Sequence, residues 1–295
     1  MSAPTTRERP SVNTTVLRTG LRRGRTEYLQ FARDRRELLT GPVGAVVMLV
    51  ALVGWQGHGT VPGTGASKAV LMTARFVAYC VFSAALMNLA LGITADREEG
   101  ALLRLRALPG GMTAYLVGRT VSVLGQIATY VVLMLAAGLA FTELTLPTAP
   151  GDWLTLAWVL ALGTLSVAPI GAALGAVVRD ARNAAAALSL AMMGLMVISG
   201  VLFPITALPQ PAQWVAQAFP LYWQGLGLRS VFLPDSMLAA EIGGSWRLWE
   251  AAGVMSLWAV AGLLLAPWLL QRMTRRESGS RLAERRRHSA VRRAY

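Results

Sequence analysis

The chain has 295 residues, 54% of them hydrophobic and only 15% charged, with a mean hydropathy of +0.49. Soluble domains carry about 25% charged residues, so a water-soluble globule is excluded and an integral membrane protein is indicated. The net charge of +13 is concentrated toward the two ends of the chain, which argues for membrane topology and against a nucleic-acid-binding face, and a single cysteine, Cys80, excludes an intrachain disulfide.

Residues 1–25 are polar, rich in Thr, Pro and Arg, and are expected to form a disordered basic tail. They lack the apolar core and cleavage site of a signal peptide, so insertion is expected to use the first internal apolar run. From Thr26 to Leu39 the pattern changes. Tyr28, Phe31, Ala32, Leu38 and Leu39 recur at helical spacing, while Arg33, Asp34, Arg36 and Glu37 fill the other face. This predicts an amphipathic helix on the membrane surface leading into the first span.

Six apolar runs follow, each near the ~20 residues needed to cross a ~30 Å hydrocarbon core. They lie at about 39–56, 76–95, 114–141, 154–178, 183–203 and 248–270, the first opening with Gly41-Pro42. The fold expected is an all-α polytopic membrane protein with a six-span transmembrane domain over 26–271 and a basic cytoplasmic tail over 272–295. Arginine placement orients it. Nine arginines precede Leu39, four lie between 97 and 119, two sit in the 179–182 turn and nine follow the last run, against only Lys68, Arg75, Arg229 and Arg247 elsewhere. Basic residues favour the cytoplasmic side, so both ends and the Thr94–Met112 hairpin are expected there, with the plasma membrane as location.

That hairpin packs Asp96, Arg97, Glu98, Glu99, Arg104 and Arg106 between two long apolar runs and closes with Pro109-Gly110-Gly111. A charged segment of this kind is suited to touching something in water. The spans offer no such groups. None has an Asp, Glu, Lys or His near its centre, where a charge usually marks an ion or proton pathway. Arg75 and Glu143 sit at outer ends and Arg179 and Asp180 at an inner end, where snorkelling is expected. An ion-coupled carrier is therefore hard to write, and energy must come from outside the chain. There is no GxxxxGK[ST] phosphate loop, no HExxH and no Ser/His/Asp set, and His58 and His288 are isolated. The chain is thus read as a non-enzyme that binds no cofactor of its own.

In the fourth run Gly171 and Gly175 are four apart and follow Pro169, which fits close helix packing or a hinge. Candidate pathway residues are Asn88, a mid-span polar side chain, with Met134, Met192 and Met196, which can line an adaptable apolar path or simply pack. Between the fifth and sixth runs, residues 199–233 are too broken by Pro204, Pro209, Pro211 and Pro220 to be a span and too apolar for a free loop. Two short re-entrant or interfacial helices capping the outer side are expected, with Phe203, Trp214 and Phe219 facing the path; a surface-lying loop without a transport role is the alternative.

Three stretches together resemble the membrane subunit of ATP-binding-cassette exporters of the type-2 permease family, which includes drug and antibiotic exporters. They are Phe31, Arg33, Asp34, Arg35 and Leu38 before the first run; Asp96-Arg97-Glu98-Glu99-Gly100 with Leu103-Arg104, Ala107 and Pro109; and Ser199-Gly200-Val201-Leu202-Phe203-Pro204 with Leu208-Pro209, Phe219-Pro220-Leu221 and Leu228-Arg229. The resemblance implies that ATP is bound and hydrolysed by a separate subunit. It also implies that Phe31, Arg33, Asp34, Arg35, Asp96, Arg97, Glu98, Glu99, Gly100, Arg104 and Arg106 form the surface on which that subunit docks. Two permease chains, identical or different, would then meet to move a hydrophobic or amphipathic small molecule across the lipid. A lipid or polysaccharide cargo, and a non-transporting membrane scaffold that uses the same hairpin, stand as alternatives.

Overall fold

The computed structural model describes residues 12–98, 101–106, 108, 110–177 and 181–265. Among these, regular structure is helical, apart from one isolated bridge between Thr60 and Ser67.

Helix α1 runs over Val12–Arg33 and breaks at Asp34. The tail expected over 1–25 is therefore helical from Val12 onward. The reason is tertiary, because this stretch has a docking groove. Gly20 and Gly24 on α1 meet α6 so closely that a Cβ at Gly24 would stand 2.5 Å from the Gly118 carbonyl oxygen and 2.7 Å from Val121 Cβ. At Gly125 a Cβ would press on the Tyr28 ring, and the Tyr28 hydroxyl lies 3.1 Å from Thr129 Oγ1. Contacts advance in step along both helices, so α1 runs parallel to the first half of α6 and packs one face against it.

Asp34 leaves helical geometry (φ −80°, ψ 102°), and its Oδ1 accepts the amides of Arg36 at 2.8 Å and Glu37 at 3.2 Å. Its side chain thereby caps the next helix. That helix is α2 (Arg35–Leu38), followed by a π-helical turn over Leu39–Val43 and α3 (Gly44–Gln56). The three form one 22-residue apolar helix. Pro42 has no amide to give, and the wider turn absorbs that loss without ending the helix.

The central post is α4, Lys68–Glu98, 31 residues long. Of its apolar stretch 67% is buried within the chain, against 11% for Arg35–Gln56, so α4 is surrounded by protein and the first span is peripheral. After α5 (Ala101–Arg106), Gly110 adopts φ 69°, a left-handed value that costs glycine little, and starts α6 (Gly111–Phe141). Helix α7 (Pro150–Val177) packs on α4 through the two glycines singled out above. A Cβ at Gly171 would lie 2.7 Å from the Leu86 carbonyl oxygen, and one at Gly175 2.3 Å from that of Ala90. Close approach of backbones explains this pair, and the Thr94 hydroxyl crosses the same seam to the Gly175 carbonyl at 3.2 Å.

The fifth expected span is α8, Ala181–Ile198, whose apolar part is the shorter stretch Ala185–Ile198. Five described helices are long and apolar enough to cross a membrane, and α8 falls short of that set. It ends at Ser199 and Gly200, with φ 82° at the glycine. The segment after it forms two short helices, α9 (Gln210–Ala218) and α10 (Pro220–Phe232). Their existence matches the expectation, but their burial differs. Every residue of α10 from Pro220 to Arg229 is buried, wedged against α4 and α7, whereas α9 leaves Trp214 and Val215 exposed. A surface-lying loop is thus ruled out for α10. Helix α11 begins at Leu248 and is described to Leu265. Its Leu257, Leu263 and Leu264 point outward with Val47, Val132 and Leu154 of other helices. This is the outer surface a hydrocarbon solvent requires.

Candidate functional site

The charged end of the bundle is held by a chain of polar contacts. Arg23 Nε donates to Glu27 Oε1 at 2.7 Å, and Arg119 of α6 approaches the other Glu27 oxygen at 3.7 Å. Arg119 Nη2 also donates to the Asn88 carbonyl of α4 at 2.9 Å. One turn from Arg119, the Tyr115 hydroxyl donates to Asp96 Oδ2 at 2.7 Å, with the Arg23 guanidinium 4.8 Å above the Tyr115 ring. Leu105 of α5 packs with Met112 and Leu116 against buried Ile93 and Tyr115. The result ties α1, α4, α5 and α6 into one body at this end.

Between these helices opens a cleft of about 470 Å³. Its walls include Glu27, Phe31, Asn88, Arg119, Gln126 and Tyr130. The α6 contribution, Arg119, Ser122, Gln126 and Tyr130, follows the three-and-four spacing of one helix face. That stripe is present in the sequence as a spacing, although each residue alone is unremarkable in an apolar run.

Of the residues assigned to a docking surface, Arg33, Asp34, Arg35 and Arg104 are exposed. Phe31 is buried, packs near Tyr28 and lines the cleft. Asp96 is half-buried and engaged by Tyr115. The side chains of Arg97, Glu98 and Arg106, and residues Glu99 and Gly100, lie outside the described residues.

The pathway candidates do not converge. Asn88 lines the cleft. Met134 and Met192 are buried in the central apolar cluster and Met196 packs beside it, so these three are core side chains. Phe203 and Trp214 are exposed, and Phe219 stacks on Trp258 of α11 with ring centroids 6.0 Å apart.

At the opposite end the structure assembles a cluster that residue-by-residue reading did not find. Arg229 of α10 binds Glu241 through two hydrogen bonds, 2.6 and 3.0 Å, with both side chains 3% exposed. Arg247, at a left-handed φ of 42°, donates to Gln217 Oε1 at 3.0 Å and to the Tyr222 hydroxyl at 2.7 Å, and its guanidinium lies 4.9 Å from the centre of the Trp223 ring. It thereby pins α9 and α10 to the start of α11. Arg75, expected to snorkel, is buried at 8% exposure on α4, the helix against which α10 packs.

These features define an all-α polytopic membrane protein. Residues 60–268 match the family model described as ABC-2 family transporter protein, and the chain belongs to that family. It is accordingly the permease component of an ATP-binding-cassette transporter, and the family implies an ATPase partner. No curated protein matches the chain. The α1 helix and the first span lie before the matched region.

Proposed function

We propose that the chain is the membrane subunit of an exporter, moving a hydrophobic or amphipathic compound outward with ATP hydrolysed by its partner. Two such chains would form the path, with the charged end of the bundle facing the cytoplasm. The observation that carries this reading is the packing of α1 and α5 on α6 and α4. A force applied to exposed Arg33, Arg35 or Arg104 reaches two long helices through interdigitated backbone and a hydrogen-bond chain. Rigid packed elements of this kind move as units rather than deform. Arginine placement supports the orientation.

The test is co-expression with the ATPase subunit and purification in lipid nanodiscs. Retention of the ATPase, loss of that retention in an Arg33→Glu/Arg35→Glu/Arg104→Glu variant, and ATP-dependent efflux of a lipophilic dye from cells carrying both subunits are expected. An unchanged complex with the triple variant would sink the assigned surface, and retention without any ATP-dependent flux would favour a scaffold.

A further inference from the structure

Arg75 lies about two turns into α4 and is 8% exposed. Arg229 places its guanidinium over Gly225, where a Cβ would stand 3.2 Å from Nη1 and 3.8 Å from Ala78 Cβ. Ala78 is one helical turn from Arg75 on α4, so Arg75 leaves α4 on the face that meets α10 and Arg229. Arg229 and Glu241 are the charged groups that act on Arg75. Glu241, however, already gives both its oxygens to Arg229. Elsewhere at this end Asp235 accepts from Trp246, and Glu250 pairs with Arg247. Arg75 makes no hydrogen bond to any described residue, and its Nε is buried without a partner.

An arginine cannot shed its proton to escape burial. Removing an unneutralised guanidinium from water consumes a large share of the small net stability of a folded protein. The Arg75–Arg229–Glu241 cluster therefore holds one positive charge more than its described groups compensate. A guanidinium is a planar fork whose geometry matches carboxylate and phosphate oxygens.

We propose that Arg75, backed by Arg229, forms a binding site for an oxyanion, a carboxylate or phosphate group, at the α9–α10 end of the bundle. The oxyanion comes either from a free ion or from the headgroup of an amphipathic molecule. The site stands independently of the export reading, since binding here needs no ATPase.

The purified chain in phosphatidylcholine nanodiscs at fixed chloride is titrated with inorganic phosphate, with decanoate, and with decanol as the uncharged control, reading the melting midpoint and calorimetric binding. Saturable binding of phosphate or decanoate, none of decanol, at least tenfold weakening in Arg75→Gln, and partial retention in Arg75→Lys are expected. Decanoate binding tenfold or more tighter than phosphate assigns the site to a headgroup, and equal or tighter phosphate assigns it to a free anion. Either result supports the site. Unchanged binding in Arg75→Gln, equal binding of decanol, or no anion response in the native chain overturns it. The fold is checked by the anion-free melting midpoint of Arg75→Gln, expected at or above that of the native chain because an uncompensated charge has been removed. A clear fall would show that Arg75 is already satisfied, and overturns the proposal as well.

Discussion

Among the described residues Glu241 is the single acid of three buried charged side chains, so the cost of removing each member should differ in a fixed order. Glu241→Gln strands two guanidinium groups, and removing one partner of a buried pair costs about 3–5 kcal/mol. Arg229→Gln still leaves Glu241 the positive charge of Arg75, which it already feels, so its cost should be smaller. Thermal unfolding of the two purified variants in the same detergent checks this, and a larger drop for Arg229→Gln would contradict it. The residues of this cluster were individually visible in the sequence. Their meeting was not, because Arg75 and Glu241 are more than 160 positions apart and only the wedged position of α10 joins them. The same limit explains the methionines. Met134 and Met192 have the composition of a path lining, yet which helix face points inward is set by neighbours and not by spacing.

At the level of elements, the apolar runs and the broken segment after α8 were legible because hydrophobic length and proline placement are local properties. The extent of α1 was not legible. Val12–Arg25 is polar and basic, a composition that alone favours disorder, and its helicity comes from a partner almost a hundred residues downstream. The clue was present as Gly20 and Gly24 on one helix and Gly118 and Gly125 on the other, whose small size permits backbone contact. Gly24→Leu should therefore push α1 off α6 while leaving the apolar spans inserted. The expected outcome is normal membrane yield with faster protease cleavage within 12–33 and at least a tenfold loss of ATP-dependent efflux in the presence of the ATPase. Protection equal to that of the native chain would show that the seam tolerates the side chain.

For the whole molecule, the arginine distribution makes a statement about sides that the coordinates alone do not carry. His58 lies in the loop between α3 and α4, and Arg104 in α5 at the other end of α4. Both are exposed. With Cys80 buried and silent as a background thiol, His58→Cys should react with a membrane-impermeant maleimide in intact cells. Arg104→Cys should react only in inverted vesicles. Reversal of this pattern would turn the permease over and with it the position of the ATPase.

The parallel docking of α1 along α6 also has a consequence for biogenesis. The groove that receives residues 12–33 is built from residues 110–129, and it does not exist until roughly ninety further residues have left the ribosome. Through that interval two spans must enter the bilayer while α1 has nothing to rest on. Joining α1 to the bundle is thus a late event of synthesis, completed only after the hairpin between α4 and α6 has turned the chain back, and a nascent chain halted before Gly111 would hold both early spans with residues 12–33 still undocked.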